Sequence, residues 1–395
     1  MASVISEIKI IDTDTHVVEP PDLWTSRIPA KYGDQIPHVR WDDENGEEAW
    51  FVSGERMAAV GAPAMAGWVE YPPHHPRRWR DIDPVMYDAK ARAAHMDQYG
   101  IQAQVLYPNV ALFDARRLLE MDDEELQLGC IRAYNDYQVE WGSDAPGRFV
   151  AMASLPFWDL QATLAEMTRV RELGHRGIIF TQDPAAFGLP QLTDRHWDPM
   201  WAAAQEMGMP VNFHIASGDL SLMGAGHPDN GERANYASMG VSFFMGNART
   251  IAQLVCGGIC HRFPELDFVS VESGVGWIPY ALDALDWQWK NCGVALEHPE
   301  YELLPSEYFK RQIYGCFWFE DHGVRHAIDR LGPDHILYET DFPHPTSMSP
   351  GPATTAVAPD EYLETTFGDL PDETLRKILH DNAARLYGIG AATAS

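Results

Sequence analysis

Three apolar runs in this 395-residue chain each end in an acid or an imidazole. Ile8-Lys9-Ile10-Ile11 leads into Asp12-Thr13-Asp14-Thr15-His16. Pro210-Val211-Asn212-Phe213 delivers His214, and Ile336-Leu337-Tyr338-Glu339-Thr340 closes on Asp341, with Phe342, Pro343 and His344 after it. Asp14 and His16, two apart on an extended segment, point to the same side. If the three run ends meet, Asp14, His16, His214 and Asp341 offer two carboxylates and two imidazoles to one ion. That donor set suits Zn²⁺, or alternatively Mn²⁺, better than Ca²⁺ or Mg²⁺. An ion held with an open position lowers the pKa of its water towards about 7, giving hydroxide at neutral pH. The bland alternative is that these residues cap helices or satisfy core hydrogen bonds.

Such residues work together only if strands bring their C-terminal ends to one face. Past residue 100, short apolar runs alternate with helical patterns, the mark of repeated βα units. The pattern predicts strands over about 8–14, 103–107, 149–153, 177–181, 210–215, 266–272, 312–316 and 335–340. Helices are predicted over about 87–99, 122–142, 160–173 and 196–207, with a closing helix over 372–387. The simplest closed arrangement is an α/β fold, a (β/α)₈ TIM-like barrel, forming a single domain over residues 1–395. A doubly wound open sheet is the alternative, but no Gly-rich phosphate loop follows the first strand. Two segments exceed the repeat. Residues 17–85 carry Trp24, Trp41, Trp50, Trp68, Trp79 and His74-His75, and residues 216–245 are Gly-rich. Both leave the catalytic face, where long insertions act as lids or pocket walls.

Composition narrows the partners. With 58 Asp and Glu against 29 Lys and Arg, the net charge is -29. That excludes nucleic acid and anionic membrane surfaces, each of which needs a basic patch. No apolar run approaches the roughly 20 residues that cross a bilayer. Met1–Glu7 lacks the basic and apolar regions of a signal peptide. The expectation is a cytoplasmic protein acting on a small molecule. Five scattered cysteines (Cys130, Cys256, Cys260, Cys292, Cys316) are read as reduced thiols in core positions. Cys256 to His261 is one residue too long for a haem attachment signature.

Taken together, Asp12-x-Asp14-x-His16-x-x-Glu19-Pro20, His214, Phe263-Pro264-Glu265-Leu266 and Thr340-Asp341-Phe342-Pro343-His344 resemble the amidohydrolase superfamily. The nearer likeness is to its amidohydrolase 2 branch, which holds aminocarboxymuconate-semialdehyde decarboxylase and aromatic-acid decarboxylases. The resemblance implies a TIM-like barrel, one divalent metal ion, a small-molecule substrate and a homodimer. It also implies that Asp341, matching the family's last-strand Asp, takes the proton from bound water. Three positions depart from the pattern. The H-x-H of many members reads Asp14-x-His16. The sixth-strand His that aids decarboxylation falls at Glu272, and an Arg that binds substrate carboxylate falls at Ala284. Glu272 is a second acid or base, or an outer ligand; its alternative is a strand-end residue capping the next helix. His344 is placed to donate to a leaving group or to make a loop hydrogen bond. Glu19 is expected to orient His16 as an acceptor.

The leading expectation is a metal-dependent hydrolase using metal-bound water on a small aromatic or cyclic substrate. The alternative is a metal-dependent, non-oxidative decarboxylase of an aromatic or unsaturated acid. A non-catalytic, metal-binding scaffold is the third reading.

Overall fold

The computed structural model describes residues 4–110, 118–119, 121–218 and 226–390. Eleven strands run in chain order among them: β1 (Ile10–His16), β2 (His38–Asp42), β3 (Glu47–Val52), β4 (Glu55–Ala59), β5 (Ile101–Tyr107), β6 (Phe149–Ala153), β7 (Gly177–Ile179), β8 (Val211–His214), β9 (Phe268–Val271), β10 (Ile313–Phe317) and β11 (Ile336–Tyr338). Eight of them form one parallel sheet in the order β1-β5-β6-β7-β8-β9-β10-β11. The two edges meet just beyond the last strand. Thr15 bridges Phe342, the Asp341 N–H donates to Asp14 O at 3.0 Å, and the His16 N–H donates to Phe342 O at 2.7 Å. The sheet therefore curls into the expected barrel, and its closing seam is built from the residues that carry the chemistry.

Inside the barrel, Ile11, Val105, Met152, Val269, Val271, Cys316 and Leu337 form one apolar cluster, closed from below by Ala383, Leu386 and Tyr387. Each such side chain contributes about 2 kcal/mol by leaving water. Polar atoms in this core are paired. Asn212 Oδ1 accepts from Tyr107 Oη at 3.0 Å and from Tyr387 Oη at 2.8 Å. Asp12 accepts from Thr340 N at 2.8 Å, Thr340 Oγ1 at 2.6 Å and Gln104 Nε2 at 3.0 Å. Asp12 thus ties β1 to β5 on one side and to the chain beyond β11 on the other.

The two insertions are more ordered than their composition suggests. Residues 17–85 contain the antiparallel sheet β2-β3-β4. Trp50 on β3 is buried edge-on against Trp24 at 5.2 Å, and Trp24 Nε1 donates to Cys130 O at 3.0 Å. This insertion reaches the catalytic face, where the Met65 and Ala66 N–H groups donate to Pro343 O. In the second insertion, residues 219–225 lie outside the described residues. Glu232–Ser242 forms a helix there, not an irregular loop. Its Glu232 meets His74 of the first insertion at 3.5 Å, so the two pack together.

All five cysteines are free, but only Cys130, Cys260 and Cys316 are buried; Cys256 and Cys292 are exposed, against the expectation of core positions. No helix among the described residues is long and apolar enough to cross a membrane.

His175 offers a stability test remote from the barrel mouth. It follows Gly174, the left-handed cap of the helix Leu160–Leu173. Its Nδ1 donates to Val170 O at 3.3 Å, while Nε2 is buried with no hydrogen-bond partner. Burial pushes the ring down to about 4, outweighing the bond to Val170. The unfolded chain takes this proton near pH 6.5, so it binds more protons than the native state between about pH 6.5 and 4. Stability is therefore full above that window and falls as pH drops through it, by on the order of 3 kcal/mol for this residue. Thermal melts of His175→Leu should lose less between pH 7.5 and 5 than melts of the parent. Parallel losses would contradict the assignment.

Candidate metal centre

Six side chains converge at the C-terminal mouth of the barrel. Asp14 and His16 end β1, and His214 ends β8. Glu272 follows β9 directly, while Asp341 and His344 lie just past β11. Simple alternation does not by itself aim Asp14, because the β1–β5 register shifts between Asp12 and Thr15. Such irregularities re-aim side chains at barrel rims. Glu272 and Asp341 have φ of 54° and 55°, in the left-handed region that non-glycine residues seldom occupy. Turning the chain so sharply at two strand ends costs energy. Strain of this kind persists where the surroundings over-determine it, which is typical of functional sites.

The distances describe one cluster. His16 Nε2 lies 3.4 Å from Asp14 Oδ1, 3.6 Å from Asp341 Oδ1 and 3.3 Å from His214 Nε2. His214 Nε2 lies 3.5 Å from Asp14 Oδ1 and 3.4 Å from Glu272 Oε2. His344 Nδ1 lies 2.8 Å from Asp341 Oδ1, and its ring stacks on His16 with centroids 3.7 Å apart. The structure thus brings together all four residues expected to bind metal and both further candidates, Glu272 and His344. One ligand atom from each of Asp14, His16, His214 and Glu272 falls within 4.8 Å of the others, as do those of His16, Glu272, Asp341 and His344.

The hydrogen bonds assign the tautomers. His16 Nδ1 faces Pro108 O at 3.2 Å and His214 Nδ1 faces Ile215 O at 3.0 Å. A carbonyl only accepts, so both rings carry their proton on Nδ1 and turn Nε2 inward. The two Nε2 atoms then face each other at 3.3 Å beside the Asp14 carboxylate. Asp14 Oδ1, Asp14 Oδ2 and Asp341 Oδ1 are buried and accept no hydrogen bond. Inward lone pairs and orphaned carboxylate oxygens around one point fit a divalent cation. They do not fit the bland reading, in which caps and core hydrogen bonds would have used those atoms.

Burial pushes the Asp14 carboxyl up, but His214 and His16 outweigh it and hold it well below the ordinary range. Burial, helped by His344, pushes His16 down to about 4 despite Asp14. For His214 burial pulls downwards, but Asp14, the Ile215 carbonyl and Asp341 together outweigh it and raise the ring. Glu272 is raised well above the usual carboxylate range by burial, by Asp341 and by Asp14. Glu339, beneath it, is raised by burial and Asp14, and accepts from the Glu272 N–H at 3.2 Å.

Glu19 works differently from expectation. Pro108 O, not Glu19, meets His16 Nδ1. Glu19 is fully buried and accepts from Asn109 N at 2.8 Å, Val110 N at 3.1 Å and Asn109 Nδ2 at 3.2 Å. A buried acid can be read from sequence as an acceptor, but its donors on the loop after β5 cannot. Sequence reasoning also passed over Thr346, whose Oγ1 donates to Asp341 Oδ2 at 2.6 Å and turns Oδ1 to the centre. Tyr236 was hidden in the Gly-rich insertion; its phenol is pushed up to about 12 by burial, Asp341 and Glu272.

A family model described as amidohydrolase matches residues 11–389. Among curated proteins, the chain is similar to gamma-resorcylate decarboxylase of Rhizobium sp. (strain MTP-10005), 26% identical over 281 residues, covering 67% of this chain and 80% of that one. It is also similar to 2-keto-4-carboxy-3-hexenedioate hydratase of Sphingobium sp. (strain NBRC 103272 / SYK-6), 26% identical over 262 residues, covering 64% and 67%. Among solved structures, a dihydroxybenzoic acid decarboxylase from Polaromonas sp. JS666, with bound manganese and the inhibitor 2-nitroresorcinol, superposes with a TM-score of 0.63 at 19% identity, covering 98% of each chain. At that identity the likeness is one of fold.

Proposed function

The chain belongs to the amidohydrolase family, and from that premise we propose that it is a divalent-metal-dependent carboxy-lyase, removing a carboxyl group without oxidation from a small aromatic or unsaturated acid. The observation that carries this reading is the crowding of three carboxyl groups, Asp14, Glu272 and Asp341, around two imidazoles in a buried mouth. Like charges so close disfavour joint ionisation. Burial and both neighbouring acids raise Glu272, so it is the one that keeps its proton. A protonated acid at the rim is what a decarboxylation needs and what water activation does not. The hydrolytic expectation therefore yields to the carboxyl-removing one, which the Rhizobium and Polaromonas proteins also favour.

Asp14, His16, His214 and Asp341 would hold the ion. When bound, a divalent cation supplies charge neutralisation for an anionic substrate's oxygens. That matters in a chain of net charge -29 with Ala284 where the family resemblance implies a carboxylate-binding Arg. Zinc and manganese both suit the donors, and the manganese of the Polaromonas structure supports testing it first. In the reaction the bond between the ring or alkene carbon and the carboxylate breaks, and its electron pair stays on carbon. Glu272 Oε–H gives that carbon its proton, and carbon dioxide leaves. Glu272 is left as a carboxylate and regains its proton from water.

The test is a panel of hydroxybenzoates and unsaturated diacids in heavy water with manganese- and zinc-loaded protein. Carbon dioxide should appear in step with one deuterium on the vacated carbon. Hydration or hydrolysis products without carbon dioxide would overturn the reading, and metal retention without turnover on any panel would point to a scaffold. Glu272→Gln keeps shape but has no acidic proton, and should lower kcat by roughly 10²-fold. An unchanged kcat would remove Glu272 from the chemistry.

A further inference from the structure

We propose that Asn109 is a positioning residue that locks the His344 ring with its Nε2 proton on Asn109 and its Nδ1 turned to Asp341. The argument is one of counting donors. Asn109 Nδ2 sits 2.8 Å from Val17 O and 3.2 Å from Glu19 Oε2, both of which only accept. Flipping the amide would press its oxygen against a carbonyl and a carboxylate, so the orientation is fixed. Asn109 is further held by its own N–H on Glu19 Oε1 at 2.8 Å. The fixed amide turns Oδ1 to His344 Nε2 at 2.7 Å. An amide oxygen has no proton to give, so Nε2 must carry one. The other ring nitrogen, Nδ1, then faces Asp341 Oδ1 at 2.8 Å.

The adjacent residue does the complementary task. Pro108 O takes the Nδ1 proton of His16, while Asn109 Oδ1 takes the Nε2 proton of His344. The two rings are stacked, with planes 21° apart. One dipeptide after β5 therefore places a proton on Nδ1 of His16 and on Nε2 of His344, so that His16 turns Nε2 and His344 turns Nδ1 to the same carboxylate, Asp341. Glu19 acts through Asn109 by holding the amide. This assigns a purpose to a buried acid and a loop amide that touch no other member of the site.

The tautomer is measurable without any substrate. In full-length protein labelled with ¹⁵N-histidine, metal-free and zinc-loaded, long-range ¹H–¹⁵N correlation reads each ring's protonated nitrogen. The His344 signals are identified by their loss in His344→Gln. The expected result is a proton on Nε2 of His344 in the parent, and its loss from Nε2 in part of the population in Asn109→Leu. An Nδ1–H ring in the parent overturns the proposal whether or not any variant folds, as does an unchanged Nε2–H ring in a folded Asn109→Leu. A kinetic arm rests on the carboxy-lyase reading: Asn109→Leu should lower kcat about 10- to 100-fold with KM and metal content unchanged. Loss of bound metal in Asn109→Leu would mark a merely structural role. Failure to find any substrate would defeat the carboxy-lyase reading and leave the spectrum to decide this one.

Discussion

Asp341→Asn abolishes turnover, with a fall of roughly 10³-fold or more, while the protein folds and melts close to the parent. The two halves of this expectation have separate causes. Asp341 Oδ1 lies 3.6 Å from His16 Nε2 and 2.8 Å from His344 Nδ1, between the two imidazoles. An amide at this place is a weak ligand and accepts no proton, so it removes both a charge from the ion's surroundings and a base, each worth 10²-fold or more. The fold survives because the replacement asks little of the backbone. Asp341 has φ of 55°, and asparagine adopts the left-handed region as readily as aspartate. Thr346 Oγ1, which now donates to Oδ2 at 2.6 Å, finds an amide oxygen of the same shape there. Removing one of three crowded carboxylates also relieves repulsion in metal-free protein. Steady-state kinetics on whichever acid the parent turns over, with melting in EDTA, check both halves. Turnover within tenfold of the parent would mean that Asp341 is neither ligand nor base.

The barrel and the centre differ in how legible they were. All eight barrel strands, the helix Leu160–Leu173 and the helix Glu124–Gly142 follow from apolar periodicity, because burial on one stripe or both faces writes itself into local sequence. The closing helix was legible too, though it relaxes into a π turn over Lys377–Asp381 that no local pattern announces. The candidate site was legible where acids and histidines interrupt buried strands, since a polar residue at such a place has few structural excuses. The sheet β2-β3-β4 was missed because Trp, Pro and charged residues mask its alternation and its partner strands lie within an insertion that reads as loop. Thr346, Asn109 and Tyr236 were missed for a common reason. Each acts through a contact made across the fold, and a threonine, an asparagine or a tyrosine in a loop looks alike whether or not it meets a catalytic carboxylate. Glu19 is the instructive intermediate. Its burial as an acceptor was foreseeable, but its donor was the next strand's loop, not the nearby histidine.

His214→Ala should cost the protein its metal. Among the described residues, His214 supplies the only imidazole of the cluster from the far side of the barrel, its Nε2 opposite that of His16 and within 3.5 Å of both Asp14 and Glu272. Its neighbours cannot take over. His16 is pinned by Pro108 O and cannot swing across, and His344 presents its Nδ1 to Asp341 on the other flank. Of the four proposed ligands two carboxylates and one imidazole remain, a harder donor set that holds zinc or manganese less firmly and tolerates calcium or magnesium better. A ligand that binds the native state alone at 100 times its Kd adds about 2.7 kcal/mol of stability, so a melt with and without metal reports occupancy independently of turnover. The parent should melt several degrees higher with manganese or zinc than in EDTA, and elemental analysis should find about one ion per chain; His214→Ala should lose both the shift and most of the ion. The variant itself folds, because the bond from His214 Nδ1 goes to the neighbouring carbonyl of Ile215 and joins no distant elements. A full complement of tightly held metal in His214→Ala would show that the ion sits towards Asp341 and His344, not between β1 and β8. That outcome would transfer the weight of the site to the second of its two overlapping clusters, in which His16, Glu272, Asp341 and His344 are the donors.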